Sequence, residues 1–97
     1  MSQHAMRSFD LYVNGEFGQA EGGAQFDSVD PSTGDTWAKM PAASAADTNA
    51  AVDAAWNAYN AGEWPSLTPT QRGKVILKLA ELVARDAPLM AELETRD

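Results

Sequence analysis

The chain has 97 residues, 7 basic against 14 acidic side chains, a formal net charge of −7 and no cysteine. That length holds one small domain, and the absence of cysteine excludes disulfides, thiolate metal sites and a cysteine nucleophile within this stretch. Few and scattered Lys and Arg argue against nucleic acid and anionic membrane surfaces. No run approaches the roughly 18 apolar residues of a membrane-spanning helix, so the expectation is a soluble, cytoplasmic chain with no membrane partner.

Residues 1–8 have no apolar pattern and are expected to be a disordered terminus, with the single histidine, His4, inside it. Residues 9–13 read as a strand. Asn14-Gly15 then gives a two-residue hairpin signal, since both residues tolerate positive φ, and 16–20 is the return strand. Gly22-Gly23 marks a second turn. Residues 25–29 form a third strand, with Phe26 and Ser28 on one face and Asp27 and Val29 on the other. In Asp30-Pro31-Ser32-Thr33-Gly34 the proline presets φ, the Asp30 side chain can bond nearby amides, and Gly34 permits a left-handed exit. Residues 36–40 are a fourth strand, ended by Pro41.

Past Pro41 the period changes from extended to helical. Ser44 and Asp47 stand as a capping box, and Val52, Ala55, Trp56 and Tyr59 fall on one apolar face. Trp56 is expected in the core, and Gly62 just past the helix end. Trp64-Pro65 reads as a packing anchor in the connector. A second helix opens on Thr68 as N-cap, with Pro69 first and Gln71 third, and presents Val75, Ile76, Leu79, Leu82 and Val83. Asp86 can cap a third helix, where Pro88 is tolerated in the first turn. The pattern therefore predicts an α/β fold, short β-hairpins over 9–41 and three α-helices over 42–97. All belong to one incomplete domain, because the apolar faces exceed what they can mutually cover.

The chemistry is sparse. His4 has no ligand or catalytic partner, the glycines sit between strands and do not make a phosphate loop, and Glu92, Glu94 and Asp97 read as a solvated acidic face. Residues alone give no active site.

The order of segments resembles the start of the aldehyde dehydrogenase superfamily. The resemblance begins at Leu11-Tyr12-Val13-Asn14-Gly15-Glu16-Phe17 and continues through Phe26-Asp27-Ser28-Val29-Asp30-Pro31-Ser32-Thr33-Gly34-Asp35. In the latter segment Asp30 stands for the family's asparagine and Asp35 for its glutamate. Ala50-Ala51-Val52-Asp53-Ala54-Ala55, then Trp64, then Leu67-Thr68-Pro69-Thr70-Gln71-Arg72-Gly73, then Ala91-Glu92-Leu93-Glu94-Thr95-Arg96-Asp97 complete it. Each motif is modest alone; their shared order over 9–97 is specific.

This resemblance implies the amino-terminal part of a cofactor-binding domain in a parent enzyme that oxidises an aldehyde to a carboxylic acid with NAD or NADP. A cysteine thiolate would attack the aldehyde and a glutamate-activated water would hydrolyse the thioester. None of those groups falls within the matched region, so neither catalytic nor cofactor-binding residues carry over, and the segment alone is expected to be structural and inactive. The family's structural monovalent cation does map here: backbone carbonyls of Ser28 and Val29 and the carboxylate of Asp97, completed by a carbonyl further along. The implied partners are the remainder of the same enzyme and further copies in a homodimer or homotetramer. The alternative is an autonomous interaction module that binds a partner through amphipathic helices.

Overall fold

A computed structural model describes residues 6–97. Five short strands precede two helices: β1 (Arg7–Ser8), β2 (Leu11–Val13), β3 (Glu16–Gly18), β4 (Gln25–Val29), β5 (Thr36–Pro41), α1 (Ala45–Ala61) and α2 (Pro69–Arg96). Single 3-10 turns lie at Glu21–Gly23 and Trp64–Ser66.

β2 and β3 form the expected hairpin, with Tyr12 opposite Phe17 and their rings 4.7 Å apart. Asn14 at φ 54° and Gly15 at φ 77° make the tight turn, a conformation that costs a side-chain-bearing residue but not glycine. β4 and β5 pair antiparallel across the Asp30 turn. There the Asp30 carboxylate accepts from the Ser32 amide at 2.9 Å and the Ser32 hydroxyl at 2.7 Å, as its place before Pro31 anticipates.

β1 departs from the expectation of a disordered terminus at Arg7 and Ser8; residues 1–5 lie outside the described residues. Arg7 and Ser8 pair in parallel with Ala38 and Lys39 on the free side of β5, making the sheet order β1-β5-β4. Two residues carry too little pattern to be read locally; what makes them a strand is an open edge supplied thirty residues later. His4 lies outside the described residues.

Both helix starts follow the sequence. Ser44 and Asp47 exchange capping bonds at 3.1 and 2.9 Å, and Thr68 and Gln71 do so at 3.2 and 2.8 Å. Gly62 ends α1 in extended backbone, its amide still bonded to the Ala58 carbonyl. A Cβ at Gly62 would stand 2.5 Å from that oxygen, so close approach, and not a left-handed φ, is what requires glycine.

The third helix does not exist separately, which corrects the expected three helices to two: α2 runs 28 residues straight through Pro88. Asp86, the anticipated cap, has its carboxylate held by Arg85 Nε at 3.0 Å and a terminal guanidinium nitrogen at 2.9 Å. Asp86 lies inside a continuous helix and not at a helix start, so it does not serve as a cap. The strong helix formers Ala84, Ala87 and Ala91 carry the helix across the one hydrogen bond that proline forfeits.

Among the described residues, only Ala20, Ser28, Trp37 and Ala38 are buried. The α1 face that should be core is open: Trp56 is 67% and Tyr59 74% exposed, correcting the placement of Trp56 in a core. Val75, Ile76, Leu79 and Val83 of α2 are exposed too. The accessible surface is 7544 Å², against about 5400 Å² for a compact monomer of this mass. The radius of gyration is 17.2 Å, against about 13 Å for a compact domain.

Candidate functional site

Three of the four buried residues, Ser28, Trp37 and Ala38, come together where the β4–β5 pair meets the end of α2, while Ala20 lies apart in the loop before β4. The register between these strands slips at Ser28/Val29: Ser28 faces Ala38, Val29 faces Thr36, and Trp37 is left as the extra residue. Such a bulge breaks side-chain alternation and re-aims a side chain. Consecutive Trp37 and Ala38 are accordingly both buried, where a regular strand would expose one of them.

Trp37 sits edge-on to Phe9 with centroids 6.0 Å apart, and the Arg96 guanidinium lies 5.9 Å from its ring centre. Its indole Nε1 donates to Ser28 Oγ at 2.9 Å, and the Ser28 hydroxyl donates to Asp97 Oδ1 at 2.6 Å. Arg96 also pairs with Glu92 at 2.8 Å, its side chain only 11% exposed. A shallow groove of about 290 Å³ opens beside the cluster, lined by Phe9, Trp37, Met40, Leu93, Glu94 and Asp97.

A second polar junction ties the loop before β4 to the start of α1. Asp47 Oδ2 accepts from the backbone amides of Glu21 and Ser44, both at 2.9 Å, and Ser44 Oγ donates to Glu21 Oε2 at 3.1 Å. The Glu21 amide bond, then the Ser44 amide, hold the Asp47 carboxyl below the ordinary 3.8. Asp30 is lowered likewise, first by the Ser32 hydroxyl and then by the Ser32 amide. Both groups are at the surface and anchor backbone.

Of the residues assigned from sequence to a cation, Ser28 and Asp97 are in direct contact across 69 positions, and Val29 adjoins them at the register slip. The acidic group divides: Glu94 and Asp97 face one groove, as their spacing suggests, while Glu92 turns to Arg96. Among the described residues, no three His, Cys, Asp or Glu side chains gather as a metal cluster, and no helix is long and apolar enough to cross a membrane. Sequence reasoning missed Trp37, the hub of the cluster. Its signal was an aromatic in a strand opposite a serine that alternation places inward, but the bulge that joins them depends on pairing, which composition does not reveal.

A family model described as "Aldehyde dehydrogenase family" matches residues 17–97. The chain is 52% identical over 92 residues to the (Z)-2-((N-methylformamido)methylene)-5-hydroxybutyrolactone dehydrogenase of Acinetobacter baylyi, covering 95% of this chain and 18% of that protein. It is 38% identical to aldehyde dehydrogenase family 2 member B4, mitochondrial, of Arabidopsis thaliana, over 90% of this chain and 16% of that one. Among solved structures, the NAD+ complex of an aldehyde dehydrogenase from Bacillus cereus superposes with a TM-score of 0.88 at 37% identity, over 93% of this chain and 18% of the other. The chain thus spans less than a fifth of the length of these relatives.

Proposed function

Because this chain belongs to the aldehyde dehydrogenase family, we propose that it is the amino-terminal segment of an NAD(P)-dependent enzyme that oxidises an aldehyde to a carboxylic acid. Its own part is structural. It holds no cysteine to attack a carbonyl, and the strand-to-helix glycine turn that cradles a dinucleotide has no counterpart in its sequence. NAD is favoured by the NAD+ complex of the Bacillus cereus relative; NADP remains the other cofactor of the reading.

The observation that carries this proposal is surface. The chain exposes roughly 2000 Å² more than a compact monomer of its mass would, most visibly along α1 and α2. An excess of that size matches a permanent interface. The remainder of the same enzyme is the partner proposed to cover it, and the assembled protein is taken to be a homodimer or homotetramer. The cytoplasm is the proposed compartment, on the acidic, cysteine-free composition; the mitochondrial Arabidopsis relative makes cell fractionation the check.

The reading includes a monovalent cation at the Ser28–Val29 carbonyls and Asp97. The donor set suits it: hard oxygens and a single carboxylate, at a register slip where ladder bonding is interrupted. These residues would hold the ion, which would supply local charge balance and no redox chemistry.

The test extends the coding sequence past Asp97 and assays both lengths with a series of aldehydes and either nicotinamide. Nicotinamide reduction by the long form and none by the 97-residue chain is the expected result. Reduction by the short chain would overturn the structural role. A stop codon directly after Asp97, or a long form inert with every aldehyde, would overturn the enzyme reading and leave the interaction module.

A further inference from the structure

The chain has three tryptophans. Two are exposed on or beside α1, while Trp37 is 7% exposed. Packing alone does not account for its identity. The edge-on stack with Phe9 and the approach of Arg96 would both survive in a phenylalanine. What phenylalanine lacks is the indole N–H, and that N–H is aimed at Ser28 Oγ.

The three polar groups allow one arrangement of protons. An indole N–H can only donate, an ionised carboxylate can only accept, and a serine hydroxyl has one proton to give. With Trp37 Nε1 at 2.9 Å and Asp97 Oδ1 at 2.6 Å from the same Ser28 Oγ, the indole must feed the oxygen and the hydroxyl proton must lie toward the carboxylate. Ser28 is 8% exposed, so water has little chance to substitute for either partner. Without the indole, the Ser28 side chain is held in its rotamer by the bond to Asp97 alone, and the oxygen's other lone pair loses its donor.

We infer that Trp37 is a positioning residue: its indole N–H holds the Ser28 oxygen in place, and the Ser28 hydroxyl in turn holds the Asp97 carboxylate and so clamps the end of α2 onto the bulge between β4 and β5. The clamp joins residues 69 positions apart and is a direct polar tie between the strand half of the chain and its longest helix. It leaves Asp97 Oδ2 unengaged by Ser28. The inference goes beyond the dehydrogenase reading and requires neither nicotinamide nor cation.

Proton–nitrogen NMR of the full-length protein, with its tryptophan indoles selectively labelled, tests it. Ser28→Ala and Asp97→Ala should each shift the Trp37 indole resonance and speed its solvent exchange by about tenfold or more. Asp97→Asn, which keeps a neutral acceptor, should fall between these variants and the parent. Ser28→Thr, which keeps the hydroxyl, should stay close to the parent. Trp37→Phe should speed hydrogen exchange at the Arg96 and Asp97 amides while leaving the β2–β3 hairpin amides as they were. An indole resonance indifferent to Ser28→Ala and Asp97→Ala, or moved as far by Ser28→Thr as by Ser28→Ala, would overturn the relay. Where Ser28→Ala scatters all the indole resonances, Asp97→Ala decides alone. Because no activity is read, its failure would leave the proposed enzyme standing, and an inactive parent would leave the relay standing.

Discussion

The sheet end of this molecule and its helices obey different economies. Around Trp37, a handful of residues from β4, β5 and α2 satisfy one another: the aromatic ring is covered, the serine is bonded on both sides, and the carboxylate has its donor. Along α1 and α2, capping boxes and regular backbone bonding are just as complete, yet Trp56, Tyr59 and Ile76 meet solvent. Caps and local propensity can therefore specify a helix fully without giving its apolar face a destination. Stability in proteins comes mostly from such faces being covered, so the same substitution should weigh differently in the two regions.

The largest contrast is between tryptophans. Trp37→Ala in the 97-residue chain is expected to cost about 3 kcal/mol or more, the loss of a buried aromatic. Trp56→Ala should stay within about 0.5 kcal/mol, as for an exposed site. Hydrogen exchange at the strand and helix amides, which reads local opening without requiring one cooperative transition, measures both. Repeating the pair in a longer form should raise the Trp56 cost toward the Trp37 value; equal costs in the short chain would erase the distinction between the regions.

Next in size is Ser28→Ala, which strands the Trp37 donor and removes a donor from Asp97, at about 1–3 kcal/mol. The Thr68→Ala cap at the start of α2 should cost about 1 kcal/mol, read as lost helicity.

The smallest effect is a pH dependence at the Glu21–Ser44–Asp47 junction. Folding lowers the Asp47 carboxyl below 3.8, so its contribution is present above that pH. It is lost as the pH falls below 3.8 toward the folded value. Helical signal monitored down to acid pH should show this step in the parent chain and a weaker one in Asp47→Asn.

How much of this was legible beforehand follows from range. The Asn14-Gly15 turn, the Asp30 turn and both capping boxes are set by residues two to four apart, and they read directly. The β1–β5 pairing and the Trp37 bulge join distant segments, and no local pattern announces them. Pro88 misled because proline usually bounds a helix; α2 continues through it, which leaves Asp86 inside the helix with no start to cap. Ser28 and Asp97 were reached through family resemblance, and Trp37, which links them to the sheet, drew notice only as an aromatic and was given no role.

The central claim is that the helices present apolar faces that this chain does not itself cover. Its most direct test is a thermal scan of the purified chain with a dye that fluoresces on apolar surface. The account predicts strong fluorescence at the lowest temperature and a broad, shallow transition. A dark start followed by a sharp cooperative rise would show a closed core and contradict it.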